Sequence, residues 1–293
     1  MRSLYDIPAP AKLNLFLHIT GRRADGYHTL QSVFALIDWC DTLHFDLRGD
    51  GAISREDLAT RLPEDDLTLR AARALKLASG TPYGVHIGLN KRIPAQAGMG
   101  GGSSDAASCL LALNHLWRLE LPRAELLRIG LALGADVPFF LMGRNAWVEG
   151  IGEKITPIAL AGARYVVAKP PDGLPTGLIF SDADLKRDTG TAIISGFAAN
   201  PWGFGRNDLQ AVAQRLCPGV TLALEWLGAH GLHARMTGSG SAVFARTLRD
   251  TDLTDQVDQV DQVDQGSAPD GFQVRCCNGL DVHPLSGWAP AMI

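Results

Sequence analysis

Residues 94–107 read Pro94-Ala95-Gln96-Ala97-Gly98-Met99-Gly100-Gly101-Gly102-Ser103-Ser104-Asp105-Ala106-Ala107. Four glycines and two serines stand directly before an apolar run typical of a helix. Glycine allows the backbone to approach a ligand closely, with φ of either sign. The start of a helix adds unpaired N–H groups and the positive end of a dipole. This stretch therefore predicts a phosphate-binding loop, and with it a nucleotide-binding enzyme.

The flanking residues agree with this interpretation. A short strand expected at 85–89 leads through Lys91 and Arg92 into the loop. We expect Ser103 to cap the helix and Asp105 to lie favourably in its first turn. A flexible turn with accidental glycines is the alternative, but it leaves the serines, the helix start and the preceding strand unexplained.

Better-known phosphate loops are absent from the sequence. The dipeptide Gly-Lys never occurs, which excludes a P-loop, and Ser103 breaks a G-x-G-x-x-G pattern. The remaining pattern, G-x-G-G-G-S-S before a helix, offers consecutive N–H groups that can surround an anion.

Composition bounds the class of protein. The 293 residues suffice for one large or two ordinary domains, and the net charge of −4 argues against a protein that binds polyanions. The five cysteines are scattered without a C-x-x-C pair, so we expect buried thiols in a reduced cytosol rather than a zinc site. No stretch reaches the roughly 18 apolar residues of a membrane span. We expect a cytoplasmic protein.

The order of the elements favours a two-domain α+β architecture. Residues 21–26 read as a turn, a Gly/Pro/Trp-rich loop extends to Gly205, and the cluster at 169–173 is the best domain boundary. Strands are expected at 9–19, within 32–47, and at 139–141, 146–148, 165–168, 234–237, 242–246 and 273–276. Helices are expected at 67–78, 123–133, 176–182, 207–216 and 220–227.

Lys12 and Asn14 share one face of the first strand, opposite three leucines. A lone lysine on a strand is more often a solvated edge residue. Asp136, beside a helix end, could simply cap or turn. Beside a bound phosphate, however, a carboxylate can orient an acceptor hydroxyl and a lysine can neutralise the moving phosphoryl group. A Lys–Asp pair would also keep the carboxylate ionised at neutral pH.

Three segments resemble the GHMP kinases, the superfamily that includes galactokinase, homoserine kinase and mevalonate kinase. They are 10–15 (Pro-Ala-Lys-Leu-Asn-Leu), the loop at 94–104, and 236–242 (Met-Thr-Gly-Ser-Gly-Ser-Ala). Residues 21–28, 134–140 and 207–209 resemble the branch of this superfamily that phosphorylates diphosphocytidyl methylerythritol. The resemblance covers nearly the whole chain, apart from an Asp-Gln-Val repeat and the C-terminal tail.

The resemblance implies a fold and a reaction. It implies a ribosomal-protein-like N-terminal domain at 1–160 and a ferredoxin-like C-terminal domain at 161–293. It also implies ATP with Mg²⁺ as donor and diphosphocytidyl methylerythritol, from the non-mevalonate isoprenoid route, as acceptor. A monomer or weak homodimer without nucleic-acid or membrane partners is expected. The alternatives are another GHMP kinase, of homoserine or mevalonate type, and a non-catalytic nucleotide-binding sensor.

The resemblance also implies residue roles around the transferred phosphate. Asp136 would act as base toward the 2-hydroxyl of the erythritol, and Lys12 would contact both Asp136 and the developing charge. Asn14 would help to hold the substrate, and ATP would bind residues 94–104. A second glycine turn, Gly238-Ser239-Gly240, would lie near substrate phosphates, although a tight hairpin turn explains it almost as well.

For the cytosine, the resemblance implies that Tyr27 and Phe180 stack on the base and His28 reads its polar edge. Two departures from the family pattern stand out. Gln96 and Ala97 occupy positions that usually include a glycine, although the core from Gly98 to Ser104 is intact. Asp66 replaces an asparagine that commonly contacts the adenine end, so the residues that recognise the nucleoside stay open. The metal ligands stay open as well.

Residues 255–265 form a perfect Asp-Gln-Val repeat that fits neither a 3.6 nor a 2.0 residue period. We interpret it as a solvated surface insertion, because a coiled coil needs a longer 3.5-residue pattern. Deleting 255–265 should leave the free energy of unfolding in urea nearly unchanged. Loss of soluble protein on deletion would contradict this interpretation.

Overall fold

The computed structural model describes residues 2–247 and 267–290. Over these residues the chain forms ten strands and eight helices. In chain order they are β1 (Ser3–Arg22), β2 (His28–Arg48), β3 (Ile53–Asp57), α1 (Leu67–Ser79), β4 (Gly84–Asn90), α2 (Gly101–Leu116), α3 (Arg123–Leu133), α4 (Val137–Met142), β5 (Ala146–Gly150), β6 (Lys154–Pro157), β7 (Arg164–Lys169), α5 (Thr176–Ser181), α6 (Ile194–Ala199), α7 (Gln210–Leu216), α8 (Pro218–Ala229), β8 (Ala234–Met236), β9 (Val243–Thr247) and β10 (Gln273–Leu280).

Strand β2 is the centre of the sheet. One edge pairs antiparallel with β1 along almost its whole length. The other edge pairs in turn with β5, β10 and β4, each over a different part of β2. Because β10 also pairs with β7, the sheet continues into the second half of the chain and ends at β8. The predicted α+β class is confirmed.

The sheet carries apolar cores on both faces. Helices α1 to α4 cover one face of β1, β2 and β4 with a core that includes Leu36, Leu110 and Phe139. The opposite face of β1 and β2 packs with residues of β7 and β9, such as Tyr165 and Phe244. A third core lies between the second half of the sheet and helices α5, α7 and α8. The alternation along β1 leaves Lys12 and Asn14 on the side of the glycine loop.

Two local predictions were wrong. Residues 139–141, expected as a strand, lie in helix α4, whose first turn contains Pro138. A short, fully apolar run has no alternation that distinguishes a buried strand from a buried helix. Ser103 does not cap α2: the N-cap is Gly100, with φ 72°, and no side chain makes a cap hydrogen bond there. Asp105 consequently lies beyond the first turn.

Most other elements were predicted to within a few residues, although β3, β6 and α6 were missed. Helix α7 begins at Gln210, three residues later than expected, because Asn207 and Asp208 lie in the turn before it. The repeat at 255–265 lies outside the described residues. The division into domains at residue 160 stays a prediction.

Arg123, the first residue of α3, ties the C-terminal segment to the helical layer. Its guanidinium donates hydrogen bonds to the carbonyl oxygens of Met142, Ser286 and Ala289. Leu285 and Ala289 pack in the same core as helices α1 to α4. The chain after β10 therefore returns to the first half of the molecule.

Replacing Arg123 with methionine should lower the free energy of unfolding by about 2 kcal/mol, because three partly buried carbonyls lose a charged donor. Urea denaturation of the full chain measures this change. Arg128→Met is the matched control on the same helix: Arg128 only forms an exposed ion pair with Glu125, and its loss should change stability by less than about 0.5 kcal/mol. Equal effects of the two substitutions would contradict the role of Arg123.

Candidate active site

A cleft of about 920 Å³ brings together most of the residues singled out in the sequence. Its walls include the glycine loop from Pro94 to Gly102 and the second glycine turn. Lys12, Asn14, Tyr27, His28, Asp136 and Phe180 also line it. Ser103, Ser104 and Gly240 are not among the lining residues. Residues from distant parts of the chain thus meet around one space large enough for two small ligands.

The glycine loop follows β4 and adopts backbone conformations that require glycine. Gly98 and Gly100 both have φ 72°. A Cβ at Gly98 would lie 2.2 Å from the carbonyl oxygen of Thr237, and one at Gly100 would lie 3.0 Å from the ring of Phe140. Side chains are thus excluded by conformation and by space at both positions. The predicted need for glycine is confirmed there.

The two glycine segments contact each other through their backbones. A Cβ at Gly238, where φ is 54°, would lie 2.5 Å from the carbonyl oxygen of Gly98. The side chain of Asn207 donates to the carbonyl oxygens of Met236 and Gly238, both at 2.8 Å. Asn207 therefore holds the second turn against the first, a role that the sequence motif alone did not indicate.

The N-terminus of α2 opens at the end of the loop. The first hydrogen bond of the helix runs from the Ser104 amide to the Gly100 carbonyl, so the preceding amides have no partner within the helix. The Ser104 hydroxyl is used internally, since it donates to the Pro10 carbonyl oxygen at 2.7 Å. Ser103 lies on the side of the Gly134–Asp136 turn, with its hydroxyl 3.9 Å from the Cβ position of Gly134. The amides, rather than the Ser104 side chain, are free to meet an anion.

Lys12 lies at the foot of the loop and is only 4% exposed, so it is not a solvated edge residue. Its ammonium donates to the Asn14 side-chain oxygen at 2.5 Å and lies 3.6 Å from the Asp136 carboxylate. It also lies 4.6 Å from the centre of the Phe34 ring. Burial lowers the pKa of Lys12, and the Asp136 carboxylate opposes that effect.

Asp136 is the N-cap residue of α4, but its side chain makes no cap hydrogen bond. The carboxylate instead reaches Lys12 and keeps 31% of its surface exposed to the cleft. The sequence left open whether Asp136 simply caps a helix, and this geometry argues against that explanation. The side chain of Asn14 is held on a second side, because its amide donates to the Ser32 hydroxyl at 2.8 Å.

The other end of the cleft is aromatic. His28 and Phe180 lie with ring centres 5.2 Å apart, and Tyr27 stands 62% exposed at the rim. Burial, Arg187 and Arg22 together lower the pKa of His28, which keeps its ring neutral at neutral pH. Thr176, at the start of α5, shares a hydrogen bond with Ser239 of the second glycine turn. The helix that carries Phe180 is thereby linked to that turn.

Sequence reasoning missed a buried ion cluster beneath the loop. The Lys91 ammonium contacts the Asp41 carboxylate and lies 2.6 Å from Asp105. The other Asp41 oxygen accepts from the amides of Arg92 and Ile93, at the start of the loop. The second oxygen of Asp105 is buried without a hydrogen-bond partner. The available signal was two charged residues, Lys91 and Asp105, on either side of a glycine-rich stretch.

The pKa values of Asp105 and Lys91 in this cluster are both raised, with opposite consequences for their charge. Burial, with help from Asp41, raises the pKa of Asp105 to about 8, although Lys91 opposes it. Burial also acts against the charge of Lys91, but the two carboxylates outweigh it and raise the pKa of Lys91. Asp105 therefore binds a proton more tightly in the folded chain than in the unfolded one.

Asp66, which replaces the asparagine common in the family, forms contacts with its immediate neighbours in the fold. Its carboxylate caps α1 by accepting from the Leu69 amide at 3.1 Å and forms an ion pair with Arg55 at 2.5 Å. It still lines the cleft beside Leu67. Within residues 2–247 and 267–290, no three His, Cys, Asp or Glu side chains are grouped to hold a metal ion. No helix in this part of the chain has the length and apolar character to cross a membrane.

Two family models match parts of the chain, and relatives match nearly all of it. The model of the GHMP kinases N-terminal domain matches residues 66–144, and that of the GHMP kinases C-terminal domain matches residues 196–263. A 4-diphosphocytidyl-2-C-methyl-D-erythritol kinase of Albidiferax ferrireducens is 73% identical, over 99% of this chain and 96% of the relative. The protein of the same name from Variovorax paradoxus is 64% identical, over 99% of this chain and all of the relative.

Solved structures of related kinases superimpose on this chain. A crystal structure of 4-(cytidine 5'-diphospho)-2C-methyl-D-erythritol kinase superimposes with a TM-score of 0.76 at 33% identity, over 95% of this chain and 99% of the other. A homoserine kinase from Cytophaga hutchinsonii gives a TM-score of 0.70 at 15% identity, over 97% and 96% of the two chains. The second similarity concerns the fold alone.

The proton on Asp105 predicts a pH dependence of stability. Above about pH 4 the unfolded carboxyl is ionised, whereas the folded one keeps its proton until about pH 8, so stability falls as pH rises through this range. Asp105→Asn removes this titration. Urea denaturation gives the free energy of unfolding of the variant minus that of the unmodified chain. This difference should rise by about 2 kcal/mol between pH 6 and pH 9.

Asp50→Asn is the control for this measurement. Asp50 is an exposed carboxylate paired with Arg48, and its pKa is lowered, so it stays ionised throughout the same range. Its effect on stability should not change between pH 6 and pH 9. Parallel pH profiles for Asp105→Asn and the unmodified chain would refute a proton held by Asp105.

Proposed function

The chain belongs to the GHMP kinase family, in its branch of 4-diphosphocytidyl-2-C-methyl-D-erythritol kinases, and we propose that it phosphorylates the 2-hydroxyl of that erythritol with ATP. The observation that carries the proposal is the position of Lys12 and Asp136. These residues are 124 positions apart in sequence, yet they form a 3.6 Å ion pair at the foot of the glycine loop. The alternative of a non-catalytic sensor gives no reason for this arrangement.

The triphosphate of ATP lies along residues 94–104 in this proposal. The free amides at the start of α2 and the positive end of its dipole stabilise the phosphate oxygens. Gly98 and Gly100 let the backbone come close, because a side chain at either position has no room. The acceptor diphosphate lies toward the second turn, Gly238 to Gly240, which touches the first loop.

Transfer is direct, without a covalent intermediate. The Asp136 carboxylate accepts the proton of the 2-hydroxyl, and the hydroxyl oxygen attacks the terminal phosphorus in line with the leaving oxygen. The Lys12 ammonium stabilises charge on the moving phosphoryl group and forms an ion pair with Asp136. Asn14 fixes the Lys12 ammonium through its 2.5 Å hydrogen bond and lies next to the acceptor.

The diphosphocytidyl group occupies the aromatic end of the cleft. Tyr27 and Phe180 stack on the cytosine, and each such contact contributes about 1–3 kcal/mol. His28 contacts the polar edge of the base. This end of the cleft supports a cytidylyl acceptor over homoserine or mevalonate, because small acceptors have no ring for these side chains to contact.

Mg²⁺ fits this arrangement as a companion of the triphosphate. The ion usually retains water and binds through one or two protein oxygens together with phosphates, so a cleft without a cage of acidic side chains suits it. The Asp136 carboxylate, which lines the cleft, would supply a protein oxygen to the ion. When bound, Mg²⁺ offsets the charge of the phosphates.

We propose further that the protein acts in the cytoplasm as a monomer or weak homodimer. Cys40, Cys109, Cys217, Cys276 and Cys277 form no disulfide bonds among the described residues, which suits a reducing compartment. One chain supplies every side chain to which the proposal assigns a role. Domains at 1–160 and 161–293 would each contribute one glycine segment to the cleft.

A direct phosphate-transfer assay with ATP and diphosphocytidyl methylerythritol tests the function. Turnover of this acceptor, with inhibition by CDP, is the expected result. Turnover of homoserine or mevalonate in its place, without inhibition by CDP, would contradict the proposal. Failure to use any alcohol acceptor would favour the sensor.

Replacing Asp136 with asparagine should lower kcat by about 10²-fold or more and leave ATP affinity largely unchanged, because general-base catalysis contributes about 10²–10⁴-fold. Steady-state kinetics and nucleotide titration measure the two effects. Asp65→Asn is the control, since Asp65 is an exposed carboxylate paired with Arg73 outside the cleft. Near-normal turnover in Asp136→Asn would be incompatible with its role as base.

A further inference from the structure

Arg187 lies in the segment after α5 and contacts both sides of the acceptor end of the cleft. Its Nε donates to His28 Nε2 at 3.0 Å, which joins this segment to the start of β2. Its Nη2 donates to the carbonyl oxygens of Phe180 and Asp182, at 3.3 and 2.6 Å. One guanidinium thus holds the histidine that would read the cytosine and the backbone of the phenylalanine that would stack on it.

The remaining donors of Arg187 are also used. Nη1 donates to the carbonyl oxygens of Leu185 and Ala183, at 3.0 and 3.5 Å. A guanidinium has five N–H groups, and these contacts account for all five. Arg187 therefore has no donor left for a substrate phosphate, although its charge and position would suggest one. Its contribution to recognition passes through the groups that it holds.

The contact with Arg187 determines which nitrogen of His28 carries the proton. The ring is neutral, because burial and the nearby Arg187 and Arg22 all disfavour its charged form. An arginine can only donate, so the nitrogen that accepts from it, Nε2, has no hydrogen. The hydrogen of the neutral ring is then on Nδ1. Among the described residues Nδ1 has no hydrogen-bond partner, and His28 lines the cleft.

We propose that Arg187 is a positioning residue that makes the acceptor site select cytosine over uracil, by fixing His28 as the Nδ1–H form beside Phe180. The inference rests on the proposed function, since it specifies how the same acceptor site distinguishes its base. Cytosine N3 is an acceptor that suits an Nδ1–H donor, whereas O2 accepts in both bases and does not distinguish them. Uracil has N3–H at that position, so two donors would face each other.

Loss of Arg187 frees His28 to change form. With Nε2 no longer occupied, the ring can carry its hydrogen on either nitrogen, and bare Nδ1 can then accept from uracil N3–H. Discrimination falls for two reasons: the cytidine acceptor loses a fixed donor and the uridine acceptor gains a partner. The groups that react with phosphate, Lys12 and Asp136, are unaffected.

The first test compares cytidine and uridine forms of the diphosphate acceptor in Arg187→Met, which keeps a long side chain without donors. The ratio of kcat/KM for cytidine over uridine should fall by about tenfold or more. The change should come mainly from a higher KM for the cytidine form, with kcat altered little. Arg187→Lys should also lose most of the discrimination, because one ammonium cannot reach His28 and four carbonyls together.

Arg215→Met is the matched control. Arg215 bonds the Asp182 carboxylate at 2.6 Å, in the same segment, but does not contact His28. Its replacement should leave the ratio unchanged. If Arg187→Met lowers kcat/KM equally for both bases, or leaves the ratio as it was, Arg187 is a structural residue and the proposal is overturned.

A second test needs no turnover. Nitrogen-15 NMR of the histidines in the full chain, with His28 identified by its loss in His28→Gln, distinguishes protonated from bare ring nitrogens. We expect bare Nε2 and protonated Nδ1 in the unmodified chain, and a mixture of forms in Arg187→Met. Protonated Nε2 in the unmodified chain overturns the proposal even if the variant does not fold.

The two tests also separate this inference from the proposed function. If the unmodified chain phosphorylates neither diphosphate acceptor, the proposed function fails, and the selection of cytosine, which rests on it, fails with it. The NMR result would still report whether Arg187 fixes His28. If the unmodified chain prefers cytidine but Arg187→Met retains that preference, the function stands and Arg187 is not the selecting residue.

Discussion

The buried ammonium of Lys12 is the constraint on which the cleft depends. A charge at 4% exposure is stable only with partners, and here these are the Asn14 oxygen, the Asp136 carboxylate and the Phe34 ring. Each partner comes from a different element, so the charge fixes β1, β2 and the start of α4 relative to one another. The ion pair that suits phosphate transfer is thus also a condition of local folding.

The two glycine segments add a second constraint, which is steric. Gly98 and Gly238 approach so closely that neither has room for a Cβ, and Asn207 holds the second turn in place through two carbonyls. Backbone lies directly on backbone, and amides near the loop stay free of side chains. The cluster of Lys91, Asp41 and Asp105 holds the chain just before the loop, because Asp41 accepts from the amides of Arg92 and Ile93.

The sequence predicted features that depend on neighbours in the chain. The phosphate loop, the turn between β1 and β2, and most helices follow from glycine content and local periodicity. Features set by distant residues were not predictable in the same way. The contact between Arg187 and His28 joins residues 159 positions apart, and Asp41 meets Lys91 across 50 positions. The strand expected at 139–141 is a helix because its apolar run is too short to show a period. The resemblance to GHMP kinases indicated which residues would meet, which the local pattern did not.

The central strand β2 also has a mechanical consequence. Its hydrogen bonds to β10 join both halves of the chain into one sheet, from β3 to β8. A hinge between the two halves would have to break the short pairing of Ile37 and Leu36 with Gly279 and Leu280. We expect ligands to enter and leave at the rim of the cleft, where Tyr27 is exposed on the turn between β1 and β2.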